Sequence, residues 1–411
     1  MRSLLPLLLL MCTASFANEI EVLHWWTTGS ETKAAQVMRN SWLSRNNQWK
    51  DAAIAGGGGK SAMLVLRSRV LAGNPPQAAH LKGAALHSWA KLGFMRDLGK
   101  LARRNQWDLR LYPFVSSTLN HQGSPVGVPI GIHRMNWLWA NPDLFSRHRL
   151  SPPQSWDEFI KVAEQLQQLG ITPLAIGDEP WQLAIVFESI ALGEGGSDFY
   201  RRAFVNLDEE TLRSPMMQAV LRRFHQLRAF LPANHIGLKW HDATHMVLSG
   251  QAAMQIMGDW VKNEEGAPNL RCIPAPGTTG KFSYNLDSLG LFVQNADLQT
   301  QAQDQLVDLI MESDFQRHFN QVKGSIPTQP AIELIGFDAC AIESVHALQL
   351  AISHGDLVPS MAEGMAIPPY TQQAIFDLLA SYFSDPNGDE KRAAEQLARL
   401  VRAMQRSQTA Q

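Results

Sequence analysis

Between Ile20 and Trp42 the chain spells out a strand that runs straight into a helix. Ile20 to His24 is a short β run with an alternating tendency, and it breaks off at Trp25-Trp26-Thr27-Thr28-Gly29. Helical spacing begins near Glu31 and carries Ala34, Val37, Met38 and Trp42, with Ser30 as the expected N-cap. The same order recurs: Gly56 to Gly59 leads into a helical stretch from Ser61 to Ala72, and the strand Ala78–Leu81 ends at Lys82-Gly83. Ser155 and Glu158 read as a capping box further on. Strands alternating with helices predict an α/β fold throughout. In such units ligands gather at the carboxyl ends of strands, where backbone N–H groups of the next helix lack partners. Trp25, Trp26, Glu31 and Lys82 all stand at such ends.

A length of 411 residues exceeds what one hydrophobic core of ~250–300 residues can hold, so two domains are expected. The apolar segment from Gly127 through Trp137 to Ala140 has the character of a strand that passes from one to the other. Residues 1–17 belong to neither domain. Arg2, the apolar run Leu4 to Met11 and Ser15-Phe16-Ala17 form a secretory signal, with cleavage expected between Ala17 and Asn18. Its apolar run is shorter than the ~20 residues a membrane span requires. Met11 before Cys12 is bulky where lipoprotein processing prefers a small residue. The polar residues Gln405 to Gln411 read as an unstructured tail.

Charge and cysteine usage narrow the partners. With 36 basic and 38 acidic residues the net charge is −2, so the chain lacks the positive field that holds nucleic acid. Cys272 and Cys340 remain after export, either as a disulfide or as two separate buried thiols. Gly59-Lys60-Ser61 imitates a phosphate-binding loop, but the position five residues before Gly59 is Ile54, where that loop needs glycine. Zinc-protease, nucleophile-elbow and dinucleotide signatures are missing from the sequence, and no cofactor is expected.

Several strings then occur in order: Glu21-Val22-Leu23-His24-Trp25-Trp26-Thr27-Thr28-Gly29, Ala55-Gly56-Gly57-Gly58-Gly59, Gly73-Asn74-Pro75-Pro76-Gln77, Gly258-Asp259-Trp260, Lys323-Gly324-Ser325-Ile326-Pro327 and Val358-Pro359-Ser360-Met361-Ala362. Together they closely resemble the glucose/mannose branch of the extracellular solute-binding proteins of ABC sugar transporters. The resemblance implies a two-lobed periplasmic binding protein with discontinuous lobes joined by a hinge. It assigns residues 18–130 and 283–330 to one lobe, and 131–282 and 331–411 to the other. It further implies a monomer that takes a monosaccharide in the cleft and passes it to the transporter's membrane subunits.

A pyranose has apolar C–H faces and an equator of hydroxyls, so its pocket needs flat aromatic surface and a polar ring. Trp25 and Trp26 are the expected stacking platform, Trp260 the next aromatic candidate, and Trp181 an outlying one. The resemblance adds Glu31, Lys82, Asn285, Asp287 and Lys323 as hydroxyl-reading groups. Glu363 departs from it, because relatives often carry histidine there, and an acceptor-only carboxylate satisfies a different hydroxyl geometry. A secreted glycoside hydrolase is the main rival from another class, since it too pairs carboxylates with aromatics. Lys82 and Lys323 beside those carboxylates favour their ionised form and make poor general acids of them. A sugar sensor that docks to a signalling receptor differs only in partner.

Overall fold

The computed structural model describes residues 18–56, 59–233, 235–294 and 297–409. The signal segment 1–17, Gly57, Gly58 and the last two residues of the expected tail lie outside them. The elements that position the site are β1 (Glu19–His24), α1 (Gly29–Leu43), β2 (Gln48–Ala53), α2 (Lys60–Leu71), β3 (Ala78–Leu81) and α3 (Gly83–Lys91). Beyond them come β4 (Gly127–Arg134), β5 (Trp137–Ala140), β6 (Thr172–Leu174), α4 (Pro180–Phe204), β7 (Ala252–Ile256), β8 (Arg271–Pro274) and β9 (Phe282–Leu291). The chain continues through α5 (Ser313–Lys323), α6 (Ala339–His354), β10 (Leu357–Pro359), α7 (Pro369–Ser384) and α8 (Glu390–Thr409).

Two sheets result. The first runs β10-β9-β3-β1-β2, with β4 paired to β9; the second runs β8-β5-β7-β6. β1 is parallel to both β2 and β3, and Ile20, Val22 and Leu23 are completely buried, as expected where helices cover both faces. Each sheet anchors its own core. One gathers Leu23, Trp42, Leu66, Leu81, Ile130, Leu289 and Phe319; the other gathers Trp139, Phe159, Phe187, Leu221, Met254 and Leu397. The fold is therefore α/β with two lobes. The chain leaves the first sheet at Arg134 and enters the second at Trp137, so this apolar segment does cross between lobes.

Four expectations need correction. Thr28, not Ser30, is the N-cap of α1; Ser30 lies inside the first turn and is buried. The assignment of all of 331–411 to the second lobe fails for α6 and β10. Ala341, Ala347, Leu348 and Ala351 pack into the first core, and β10 pairs with β9 of the first sheet. Val358 of β10 already touches the second core, Met361 and Ala362 join it, Met365 returns to the first, and from Ile367 onward the chain packs in the second. The expected unstructured tail is instead the end of α8, which runs to Thr409. At the capping box Ser155 accepts from the Glu158 N–H, but the Glu158 carboxylate accepts from Gln154, one residue further back.

Cys272 in β8 and Cys340 in the first turn of α6 form a disulfide. β8 belongs to the second sheet and α6 packs on the first core, so this bond joins the lobes covalently. Closing a loop over 68 residues of separation contributes about 4 kcal/mol in the chain-entropy picture.

Candidate interlobe binding site

The carboxyl ends of β1 and β3 and the middle of β9 face the second lobe across a pocket of about 460 Å³, part of it open to solvent. Trp25, Trp26, Glu31, Lys82, Trp260, Asn285, Asp287, Lys323 and Glu363 all line it. His80, His133, Trp181 and Trp240 complete the wall. Trp181, Trp240 and Trp260 come from the second lobe, Glu363 from the segment that crosses between the lobes after β10, and the rest from the first. Trp181 and Trp240 lie with their ring centroids 6.3 Å and 6.5 Å from that of Trp260, which makes one aromatic wall.

Trp25 and Trp26 flank the His80 ring, with centroid distances of 4.0 Å and 4.5 Å. The glycine before α2 explains how Trp25 fits. Gly59 has φ +75°, and a Cβ there would stand 2.9 Å from the Trp25 ring. Only glycine combines that backbone conformation with so close an approach.

Every ionised group in the wall has a partner of opposite charge. Glu31 in the first turn of α1 meets Lys323 in the last turn of α5 at 3.3 Å, each at the helix end its charge complements. Lys82, which caps α3, pairs with Glu363 on the segment that crosses between the lobes. Burial works against the Lys82 charge, yet Glu363 and then Asp287 outweigh it and raise the lysine pKa. An ion pair thus ties the start of α3 to the crossing segment at the edge of the cleft.

Asp287 anchors the floor. Asn285 donates to its Oδ1 at 3.0 Å, and His133 approaches Oδ2 at 3.2 Å. The other nitrogen of His133 meets Asp259 of the second lobe at 2.5 Å, and Asp259 also accepts from the Arg134 backbone at 2.9 Å. Burial disfavours the imidazolium, but Asp259 and Asp287 on its two sides raise the His133 pKa. A doubly donating imidazolium fits between two carboxylates. Burial opposes the Asp287 charge as well, and the two imidazoles nevertheless hold its carboxyl well below the usual range. His80 behaves oppositely: burial drags it down to about 4, against the pull of Asp287 and with help from Lys82 and Lys323. Its Nε2 lies 3.1 Å from Asp287 Oδ1, but off the line a hydrogen bond requires. Asn285 Oδ1 is likewise buried without a partner, so the pocket holds polar atoms ready for hydroxyls.

Glu188 of α4 supports Glu363 from behind. Its carboxylate accepts from Ser360 Oγ at 2.8 Å, from the Ala362 N–H at 3.0 Å and from Tyr200 OH at 2.9 Å, which fixes the loop that presents Glu363. Burial pushes the Glu188 carboxyl up to about 7.

Sequence reasoning overlooked His80, His133 and Trp240. His80 sits in β3 two residues before Lys82, which follows the strand in extended conformation, so the period-two rule places both on one face and was the available signal. β4 is buried along its whole length, so no alternation singles out His133; it meets the site because it pairs with Asn285 across the sheet. Trp240 carried no local signal. Among the described residues, no group of three or more metal-ligating side chains is placed to hold an ion, and no helix is long and apolar enough to cross a membrane.

Residues 46–296 match the family of bacterial extracellular solute-binding proteins. The chain belongs to that family. Relatives extend the match to nearly its full length. A probable sugar-binding periplasmic protein of Brucella suis is 35% identical over 399 residues, covering 96% of this chain and 94% of the relative. A protein of the same description from Rhizobium meliloti is also 35% identical, over 96% and 97%. Among solved structures, the bacterial solute receptor AcbH superposes with a TM-score of 0.80 at 16% identity, over 95% of this chain and 98% of its own. That receptor is described as exclusive for β-D-galactopyranose. Maltose-bound MalE3 of T. maritima gives a TM-score of 0.77 at 16% identity, over 94% and 99%. At such identities these likenesses concern the fold alone, which is the two-lobed one.

Proposed function

We propose that this protein is the periplasmic capture component of an ABC sugar importer and that it takes a neutral monosaccharide, with glucose the leading candidate and mannose next, into the interlobe pocket. The observation that carries the reading is the composition of that pocket. Glu31, Asp287 and Glu363 are matched by Lys323, the His133 imidazolium and Lys82, so a ligand with its own net charge finds no uncompensated partner. Neutral hydroxyls, by contrast, gain from such groups, because hydrogen bonds to charges contribute about 1.5–3 kcal/mol each. The tryptophans on both sides suit the apolar faces of a pyranose. Pairing of each carboxylate with a cation also argues against a general acid, and so against hydrolysis. The relatives named as sugar-binding periplasmic proteins support both the sugar and the compartment.

Capture follows from hinge closure. The aromatic walls contributed by Trp25 and Trp260 face each other only when the lobes meet. A sugar held by both lobes shifts the population toward the closed form, which the importer's membrane subunits then recognise. Intrinsic tryptophan fluorescence of the mature protein, titrated with a panel of monosaccharides, tests this reading. A saturable change with a hexose is expected, and chromatography should return that hexose unchanged. An intact fold that responds to none of them would overturn it.

A further inference from the structure

The second lobe touches the first through a short turn whose role lies beyond the pocket wall. Residues Asp259–Asn263 form one turn of 3-10 helix, anchored in the second core by Trp260 and Val261, and Glu264 ends it. From this turn two consecutive side chains cross to the first lobe. The Asn263 side-chain amide donates to the carbonyls of Gln321 and Val322, at the open carboxyl end of α5. The Glu264 carboxylate lies against the open amino end of α1, packed directly over Gly29.

Each side chain matches the helix end it meets. The last carbonyls of a helix seek donors, and its first N–H groups seek acceptors with negative charge. Both approaches depend on glycine. A Cβ at Gly29 would stand 2.3 Å from Glu264 Oε1, and one at Gly324 would stand 3.2 Å from both Asn263 Nδ2 and the Asp259 carbonyl. These are also the helix ends that carry Glu31 and Lys323, the ion pair at the pocket wall. On the other flank Lys262 reaches Asp338, the N-cap of α6, at 3.2 Å. Three consecutive residues of one turn therefore engage three helix ends of the opposite lobe.

We propose that the Asn263–Glu264 turn is a closure clasp, which holds the lobes together by gripping the two helix ends that present Glu31 and Lys323. The clasp forms as the lobes meet and stabilises the closed protein whether or not sugar is present. Bound sugar then adds its own contacts to a partly closed population, so the clasp lowers the rate at which sugar escapes. This last step rests on the reading under Proposed function; the clasp itself does not.

The test uses the mature protein and its Asn263→Ala/Glu264→Ala variant. Small-angle X-ray scattering without sugar should give a larger radius of gyration for the variant at an unchanged melting temperature. With D-glucose as the probe, stopped-flow fluorescence should show dissociation accelerated about tenfold, which corresponds to ~1.4 kcal/mol, with association nearly unchanged. A contact that merely supported the fold would move the melting temperature and leave that kinetic split untouched. Glu264→Gln, which keeps shape and loses charge, should show a smaller change in the same direction and serves if the double variant fails to fold. Superimposable sugar-free scattering curves for wild type and variant would overturn the clasp. Failure of D-glucose to bind the wild type would overturn the proposed function instead, and the sugar-free scattering would still decide on the clasp.

Discussion

Glu363→Ala probes the ion pair at the edge of the cleft. In the closed protein the Glu363 side chain is 6% exposed and that of Lys82 is 16% exposed, so both charges are largely withdrawn from water. Removing one member of a fully buried pair costs about 3–5 kcal/mol, because the other charge is left without compensation. Lys82 keeps some contact with solvent and lies 5.7 Å from the centre of the Trp25 ring, which offers a weak substitute. A cost of about 1–3 kcal/mol is therefore expected. The cost is expected to fall chiefly on the closed form, in which the second lobe covers the pocket that both groups line. Calorimetric titration with D-glucose should thus give a Kd weakened roughly 5-fold to 150-fold, while the melting temperature of the sugar-free protein changes by little. Glu363→Gln should lie between the two, because it keeps an acceptor for a hydroxyl and loses the charge. A Kd for Glu363→Ala within twofold of wild type would refute the reasoning, for Lys82 would then need no partner in the closed state.

Three further outcomes follow from the same geometry. Gly59→Ala should weaken D-glucose binding at least tenfold by displacing the Trp25 ring, read out as a Kd and as a shift in tryptophan emission; an unchanged Kd would show that Trp25 is not held by this contact. Glu188 has a folded pKa of about 7, above its ordinary value, so the folded state retains a proton that the unfolded state loses and stability falls as pH rises between about 4.5 and 7. The contribution is on the order of 3 kcal/mol, and calorimetry should find that Glu188→Gln lessens this decline; identical pH profiles would contradict the assignment. Replacing Cys272 and Cys340 together by serine should cost about 4 kcal/mol of stability, measured by denaturant unfolding, with retention of the fold.

Much of this site is legible in the sequence because its residues sit at positions with local meaning. Trp25 and Trp26 follow a strand, Glu31 opens a helix and Lys82 precedes one, and each location draws ligands for backbone reasons that involve no distant partner. His133 is different: it reaches the pocket through pairing with Asn285, far away along the chain, and a wholly buried strand gives no alternating pattern to read. The same limit misassigned α6. Its apolar residues would suit either core, and nothing within the helix says that it packs beside β9 and β10. Ser30 suits an N-cap by residue type, but the helix begins at Gly29, two residues earlier than that cap would start it, and there the Glu264 carboxylate of the other lobe packs closely. Local chemistry located the first lobe's half of the pocket; the second lobe's half depends on how closure brings tertiary neighbours together.

The central claim is that one hexose is captured between the lobes by residues from both. Isothermal titration of the mature protein with D-glucose, D-mannose and D-galactose, alongside maltose and a longer oligosaccharide, tests it most directly. Binding of one hexose per chain is expected, tightest for D-glucose or D-mannose, and abolished by Trp25→Ala from the first lobe and by Trp260→Ala from the second. Binding of the oligosaccharide alone, or a hexose affinity that survives both substitutions, would contradict it.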